Sequence, residues 1–188
     1  SGAAYLRAPP HYVDIWAKRV DAYHCEQLGN PARPRVGVAW RGSINHANDQ
    51  LRSIALAQFR QILSPAVDFF SLQNIISETD LPQLNQIKNL FPFDDALKDF
   101  ADTAALISLM DLVITVDTSV AHLAGALGKP VWILLPVCRD WRWMLERTDS
   151  PWYDSATLFR QTQLGDWDSV LRKVSQRLSE HFFSNGLS

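Results

Sequence analysis

Residues 112–135 read LVITVDTSVAHLAGALGKPVWILL, and this stretch decides the fold. It contains two continuously apolar runs, separated by an alanine-rich segment that ends in glycine and proline. The pattern predicts a buried strand over residues 111–116, a helix over Val120–Leu127 and a second buried strand over residues 131–135. Strands that are apolar on both faces are typical of a parallel sheet with helices on both sides.

The rest of the chain continues this alternation. Further strands are predicted over residues 35–40, 67–72, 89–91 and 156–159. Helices are predicted over residues 12–28, 54–63, 81–88, 102–110 and 167–183, with Ser53, Asp102 and Asp166 as N-caps of the second, fourth and fifth. The sequence therefore predicts an α/β fold, a doubly wound and mostly parallel Rossmann-like sheet. In such sheets ligands bind beyond the carboxyl ends of the strands.

Composition excludes several classes of protein. The chain has 188 residues, of which 47% are apolar and 20% charged, as expected for a domain with a substantial core. Eighteen basic against twenty acidic residues give a net charge of −2, which argues against a nucleic-acid partner. No apolar run is long enough for a membrane span, and two distant cysteines form neither a zinc motif nor a disulfide framework.

The beginning of the chain differs in character from the remainder. We divide the chain into an N-terminal helix with a proline-rich linker, residues 1–34, and a Rossmann-like domain, residues 35–188. The first residues lack the features of a signal peptide, which predicts a cytoplasmic protein. Because Ser1-Gly2 resembles a cut site rather than a natural start, we expect the chain to be a piece of a longer protein.

The segment Asp117-Thr118-Ser119 joins the first buried strand of the opening stretch directly to its helix. Backbone N–H groups and the positive dipole end of such a helix suit an anion, and the hydroxyls of Thr118 and Ser119 would add donors. His122 follows one turn later on the same helix face. The alternative is that Asp117 or Thr118 caps the helix and that His122 is a core histidine with its hydrogen bonds satisfied. The segment alone leaves both interpretations open.

A polar loop over residues 41–52 follows the first strand of the domain. Its two arginines, Arg41 and Arg52, and its neutral polar groups, among them Ser43, suit a diphosphate. The alternative is an ordinary solvated loop. Neither a Walker motif nor a GxGxxG motif is present. Gln73 follows the next strand, at the same expected edge of the sheet.

Two aromatic clusters lie between the last two predicted strands: Asp140-Trp141-Arg142-Trp143 and Ser150-Pro151-Trp152-Tyr153-Asp154. Aromatic rings beside charged groups suit stacking on a sugar or a base, but they also suit plain packing of a long connection. No Ser-His-Asp, HExxH or paired-cysteine pattern indicates hydrolase or metal chemistry, and we expect no metal site.

The segment DTSVAHLAGALGKPV at residues 117–131 is similar to the motif of glycosyltransferase family 9, the ADP-heptose:lipopolysaccharide heptosyltransferases. A larger set of motifs resembles the glycosyltransferase-like domains at the C-terminal end of bacterial tetratricopeptide-repeat proteins. This set comprises Gly37 to Trp40, Arg52 to Ile54, Phe70 to Gln73 and both aromatic clusters. The resemblance covers about four fifths of the chain.

The resemblance implies the C-terminal, donor-binding half of a GT-B enzyme that is inverting and independent of metal. It implies a nucleotide sugar as substrate, no further cofactor, and partners in the same polypeptide: an N-terminal GT-B half and tetratricopeptide repeats. Arg52 and His122 then become the expected catalytic residues. The expected nucleotide-sugar contacts are Arg41, Ser43, Gln73, Asp117, Thr118 and Ser119.

Two departures from the family motif limit what carries over. Ser119 stands where the family has glycine, which narrows the room for a phosphate, and residues 135–138 replace a Gly-Pro-Thr turn. The identity of the donor therefore does not transfer. The alternative function is a non-catalytic nucleotide-binding or scaffold module, because fold does not imply function. A sugar-nucleotide epimerase shares the fold but has no support from these motifs.

Overall fold

The computed structural model describes residues 2–27, 33–42, 49–137, 143–144 and 147–184. Their six strands form one sheet in the order β3-β2-β1-β4-β5-β6, and every pair of neighbours is parallel. The strands are β1 (Arg35–Ala39), β2 (Asp68–Ser71), β3 (Leu90–Phe91), β4 (Leu112–Val116), β5 (Val131–Leu135) and β6 (Ala156–Arg160). The predicted Rossmann-like α/β fold is confirmed, with the carboxyl ends of all six strands along one edge.

Helices cover both faces of this sheet. They are α1 (Pro10–Gln27), α2 (Asp49–Arg52), α3 (Leu56–Phe59), α4 (Leu81–Leu84), α5 (Phe100–Ser108), α6 (Ser119–Ala126) and α7 (Trp167–Phe183). A 3₁₀ turn over Arg60–Ile62 continues α3. One core contains side chains of α1, α5 and α6, and the other contains side chains of α3, α4 and α7. None of the described helices is long and apolar enough to cross a lipid bilayer.

Strand β4 shows why the central strands are rich in apolar residues. Val113 packs into the core beneath α1, α5 and α6, whereas its neighbours Leu112 and Ile114 pack into the core beneath α3, α4 and α7. Successive side chains of a strand point to opposite faces, so both sets are buried when both faces are covered. All five residues of β4 are buried for this reason.

The N-terminal helix α1 belongs to one of these two cores. Trp16 and Val20 on α1 are completely buried, and the indole Nε1 of Trp16 donates to Asp102 Oδ1 on α5 at 2.9 Å. Before α1, the backbone N–H groups of Tyr5 and Leu6 both donate to the carbonyl of Ala126, at 2.9 and 3.0 Å. We call residues 2–6 the N-terminal strap, because they lie along the end of α6. The strap and α1 thus pack directly on the α/β unit.

Two of the predicted helix caps are wrong. The N-cap of α3 is Ala55 rather than Ser53, whose hydroxyl instead accepts the N–H of Gly42 at 3.1 Å. The N-cap of α5 is Asp99, whose carboxylate accepts the N–H groups of residues 101 and 102. Asp102 instead accepts the indole N–H of Trp16, 86 positions away. Local sequence patterns do not predict so distant a partner.

Helix lengths differ from the predictions where the chain is most polar. The predicted polar loop contains the four-residue helix α2, and the helix predicted over residues 81–88 ends at Leu84. Helix α6 lies one residue earlier than predicted, and α7 matches its prediction, including the cap by Asp166.

Replacing Trp16 by alanine should lower the free energy of unfolding by about 3–5 kcal/mol, since it removes a buried aromatic side chain and its hydrogen bond. The control is Ile15→Ala on the same helix, where the side chain is 49% exposed; it should cost less than about 0.5 kcal/mol. Urea unfolding followed by circular dichroism measures both values. Equal, small losses for the two variants would mean that α1 does not pack on the sheet.

Candidate functional site

The sheet order places a crevice between β1 and β4. From β1 the chain moves outward through β2 to β3, and then returns to the other side of β1 as β4. The connections after β1 and β4 consequently leave toward opposite faces of the sheet, which opens a crevice at their carboxyl ends. Ligands of open α/β sheets bind at such a switch point. Residues 40–42 follow β1 here, and residues 117–119 follow β4.

Arg52 spans this crevice. It is the last residue of α2, its side chain is half-buried, and its Nη1 donates to the backbone carbonyl of Asp117 at 2.9 Å. Sixty-five residues separate the two partners in sequence. The structure therefore brings together one predicted catalytic residue and one predicted binding residue, and it places a guanidinium beside the turn that begins α6.

Thr118 is the N-cap of α6. Its Oγ1 accepts the N–H of Val120 at 3.2 Å, and its carbonyl accepts the N–H of Ala121 at 3.0 Å. The capping interpretation is therefore correct for Thr118. Capping uses the hydroxyl oxygen as an acceptor. The hydroxyl also lies 3.4 Å from Thr115 Oγ1, whose own proton goes to the Val116 carbonyl, so the Thr118 proton is directed either to Thr115 or to an anion at the same turn. Ser119, the first residue of α6, is exposed at this edge.

Arg41 follows β1 and is paired with the buried carboxylate of Asp80. Its Nε donates to Asp80 Oδ2 at 2.7 Å and its Nη2 to Asp80 Oδ1 at 3.3 Å. The indole of Trp40 donates to the same carboxylate at 3.0 Å. Arg41 is therefore positioned at the edge by Asp80, a residue that the sequence analysis did not select.

Burial acts to raise the pKa of Asp80, but hydrogen bonds from Arg41, Trp40 and Ser77 outweigh it and hold the pKa below the ordinary range. Asp80 is thus ionised in the folded protein and bound to a cation and to neutral donors. In the sequence, Asp80 stands out only because it precedes a helix start that contains proline. That position predicts a helix cap. It does not predict an ion pair with Arg41 or a hydrogen bond from Trp40, which lie 39 and 40 positions away.

Gln73 connects the ends of β1 and β2. Its Oε1 accepts the backbone N–H groups of Trp40 and Arg41, both at 2.8 Å, and its Nε2 donates to the carbonyl of Ile75 at 3.2 Å. Gln73 is nearly completely buried. The amide predicted to contact a nucleotide sugar therefore holds the backbone of Trp40 and Arg41 at the end of β1.

His122 lies one turn into α6 and is held by two aromatic residues. Its Nδ1 is 3.1 Å from the hydroxyl of Tyr153, and its ring stacks on Trp143 with centroids 5.2 Å apart and planes inclined by 19°. Part of each predicted aromatic cluster thus contributes packing around a candidate catalytic side chain.

Some predicted features cannot be compared with the structure. Ser43 lies outside the described residues, as do Cys138 and the residues 140–142 of the first aromatic cluster. Within the described ranges, no group of three or more histidine, cysteine or acidic side chains is arranged to hold a metal ion.

Comparison with known proteins gives the family context. Residues 97–170, about two fifths of the chain, match the model of glycosyltransferase family 9 (heptosyltransferase). This part of the chain resembles family 9. The matched segment contains β4, the turn at Asp117–Ser119, α6 and Tyr153, whereas Arg41, Arg52 and Asp80 lie before it.

The chain is also similar to a much longer protein. It is 27% identical over 183 residues to Protein FlbA of Caulobacter vibrioides, a match that covers 94% of this chain and 29% of FlbA. The chain therefore spans less than a third of this relative's length. No solved structure matches the chain significantly.

Asp80→Asn should lower the free energy of unfolding at pH 7 by about 1–3 kcal/mol, because the donors around residue 80 lose a charged acceptor. A carboxylate whose pKa is depressed on folding stabilises above its unfolded pKa, and that contribution disappears as the pH falls through the folded pKa. The parent should therefore lose more stability than Asp80→Asn as the pH falls below about 4.

Denaturant unfolding at a series of pH values between 7 and 2.5 measures this difference. The exposed carboxylate Asp95 provides the control, and Asp95→Asn should follow the parent curve. Parallel acid profiles of the parent and Asp80→Asn would show that the ion pair with Arg41 does not stabilise the fold.

Proposed function

We propose that this chain is the donor-binding domain of an inverting, metal-independent glycosyltransferase related to family 9. In this proposal the diphosphate of a nucleotide sugar lies between β1 and β4, at the turn that begins α6. The observation that carries the proposal is the position of Arg52, which lies across the crevice against Asp117. The match of residues 97–170 to the family model supports the same assignment.

The charges of the crevice suit a diphosphate. Arg52 supplies a cation beside the first turn of an eight-residue helix, and the N-terminal turn of a helix carries a partial positive charge. Thr118 and Ser119 add hydroxyl donors at the same turn. Arg41 is a second guanidinium at this edge. Its ion pair with Asp80 gives it a structural role at the end of β1 in the first place.

The proposed reaction is a single displacement. The acceptor oxygen attacks the anomeric carbon of the sugar. The bond between that carbon and the diphosphate oxygen breaks with inversion, and the leaving nucleoside diphosphate gains negative charge. Arg52 and the N-terminal turn of α6 stabilise this charge as it develops, and no metal is needed for that role. We assign the base that removes the acceptor proton to an upstream half of the longer protein.

The remaining parts of the proposal concern the whole protein. We propose that this domain works with an N-terminal GT-B half and with tetratricopeptide repeats in the same polypeptide, in the cytoplasm, where nucleotide sugars are made. The donor is the substrate, and no further cofactor is required. A scaffold or nucleotide-binding module without transfer activity is the alternative, favoured by the structural hydrogen bonds of Thr118 and Gln73.

The test of donor binding is a thermal-shift screen of this chain against ADP-, UDP-, GDP- and CMP-linked sugars, followed by calorimetric titration of the best ligand. A ligand that binds only the folded state raises stability by about 2.7 kcal/mol at a hundred times its Kd. Arg52→Gln should weaken binding by about 1.5–3 kcal/mol, or roughly 10- to 150-fold, through loss of a charged hydrogen bond. Arg52 is a cleaner probe than Thr118, whose hydroxyl also caps α6.

The matched control is Arg60→Gln, which changes the same side chain at an exposed position away from the crevice. It should bind like the parent. A parent that is stabilised by none of the four classes, or an Arg52→Gln variant with unchanged affinity, would contradict the proposed site.

Residues 1–188 should bind the donor without transferring its sugar, because transfer requires an acceptor and a base held against the anomeric carbon. Such proximity can contribute about 7–11 kcal/mol to lowering a barrier. Radiolabel transfer assays should detect product only with a longer protein that includes the upstream half. Efficient transfer by this chain alone would place the base within it, with His46, Asp49 and His122 as the first residues to test.

A further inference from the structure

A groove lies at the outer edge of the sheet, between the edge strand β6 and helix α7, and its volume is about 530 Å³. Phe159 of β6 and Val170 of α7 give it an apolar floor. Lys173, Arg177 and Glu180 follow Val170 at spacings of three and four, so they form one wall along a single face of α7. Over these ten residues the helix rises about 15 Å, which is the length of about five residues of extended chain.

The opposite wall is a segment that lies antiparallel to β6. The N–H of Leu158 donates to the carbonyl of Thr148 at 2.7 Å, and Asp149 pairs with Thr157. Arg147 begins this segment, and its side chain also lines the groove. Because the backbone edge of β6 is occupied at these positions, a partner in the groove would be recognised by side chains and not by strand addition.

The groove is basic, although the chain as a whole carries a net charge of −2. Its lining contains four cationic side chains: Arg147, Arg160, Lys173 and Arg177. Arg160 is half-buried and donates to the backbone carbonyls of Trp143 and Arg147, which are neutral acceptors and leave its charge uncompensated. Within the described part of the chain, Lys173 is exposed and has no carboxylate partner. The groove therefore offers positive charge to an anionic ligand.

Two of the four cations have acidic neighbours. Arg147 is paired with Asp149 through bonds of 2.8 and 2.6 Å, and Arg177 Nη1 lies 3.5 Å from Glu180 Oε2. These four side chains are between 45% and 64% exposed. Exposed ion pairs are weak, so a carboxylate of a ligand can replace either acid at little cost. Four cations against two carboxylates leave a surplus of positive charge.

We propose that this groove binds an exposed acidic segment of a separate protein, with carboxylates on the basic rim and an apolar side chain on the floor. Guanidinium groups bind carboxylates in a bidentate fork, and Arg147 and Arg177 supply one on each wall. A continuous row of phosphates fits less well, because Asp149 and Glu180 interrupt the basic rim and the floor is apolar.

The position of the groove supports a separate protein as the source of the segment. Helix α1 packs in the core on the opposite face of the sheet from α7, so the N-terminal direction of the polypeptide leads away from the groove. The groove also lies apart from the crevice between β1 and β4. The inference therefore does not depend on the proposed function.

The probe is a fluorescein-labelled heptapeptide in which glutamate and leucine alternate, and its reference is the same peptide with glutamine in place of glutamate. Fluorescence anisotropy should show saturable binding of the glutamate peptide to the chain and about tenfold weaker binding of the glutamine peptide. Raising the NaCl concentration from about 50 to about 300 mM should weaken binding, because salt screens exposed charges.

Lys173→Glu should weaken binding of the glutamate peptide about three- to tenfold, because it replaces an attraction by a repulsion. Combining it with Arg177→Glu should weaken binding further and create a preference for a lysine–leucine heptapeptide. The matched control is Arg172→Glu, which reverses a neighbouring exposed charge of α7 outside the groove. It should bind within about twofold of the parent, since screening limits the reach of an exposed charge.

Absence of saturable binding up to about 1 mM glutamate peptide, or equal losses in Lys173→Glu and Arg172→Glu, would overturn the proposal. Tighter binding of a single-stranded oligonucleotide, weakened by the same reversals, would assign the groove to a phosphate polymer instead. Sedimentation velocity tests for a second copy: self-association that Lys173→Glu abolishes would contradict a separate acidic protein. Circular dichroism melting curves verify that each variant is folded.

Discussion

The central strands β1 and β4 are buried on both faces, and this constraint governs the rest of the molecule. Neither face can be left to water, because each carries branched or aromatic side chains that pack into a separate core. The chain therefore has to supply helices on both sides, and it changes sides between β1 and β4. The crevice at the carboxyl ends of these two strands is a direct consequence of covering two apolar faces with one chain.

Buried polar side chains hold the loops around this crevice in place. The carboxylate of Asp80 accepts hydrogen bonds from the guanidinium of Arg41 and the indole of Trp40. Gln73 accepts the backbone N–H groups of the same two residues. A buried carboxylate or amide is tolerated only when its hydrogen bonds are satisfied, so these contacts hold Trp40 and Arg41 in place at the end of β1.

The turn that begins α6 serves both stability and the proposed chemistry. Thr118 caps the helix, and the helix dipole that the cap stabilises is the same one that would favour an anion. The two interpretations of this motif therefore do not exclude each other. His122, one turn further along α6, packs against the rings of Trp143 and Tyr153.

Local sequence patterns were sufficient for the parallel sheet, because a strand buried on both faces is apolar along most of its length. They also located the helix after β4, since alanine spacing and the glycine that ends it are local features. Patterns failed where the partner is distant: α5 begins earlier than predicted, with Asp99 as its cap, and Asp102 inside the first turn accepts the indole N–H of Trp16, 86 positions away. The same limit explains why Asp80 was missed.

The sequence by itself determined the fold class and the turn at Asp117–Ser119, because short-range periodicity and capping chemistry encode both. Only the tertiary structure decided which polar groups meet at the crevice. Arg52 reaches Asp117, Arg41 is paired with Asp80, and Tyr153 reaches His122 through the space that Gly125 leaves open. These contacts join segments that are between 31 and 65 residues apart, and the packing of helices on a shared sheet brings them together.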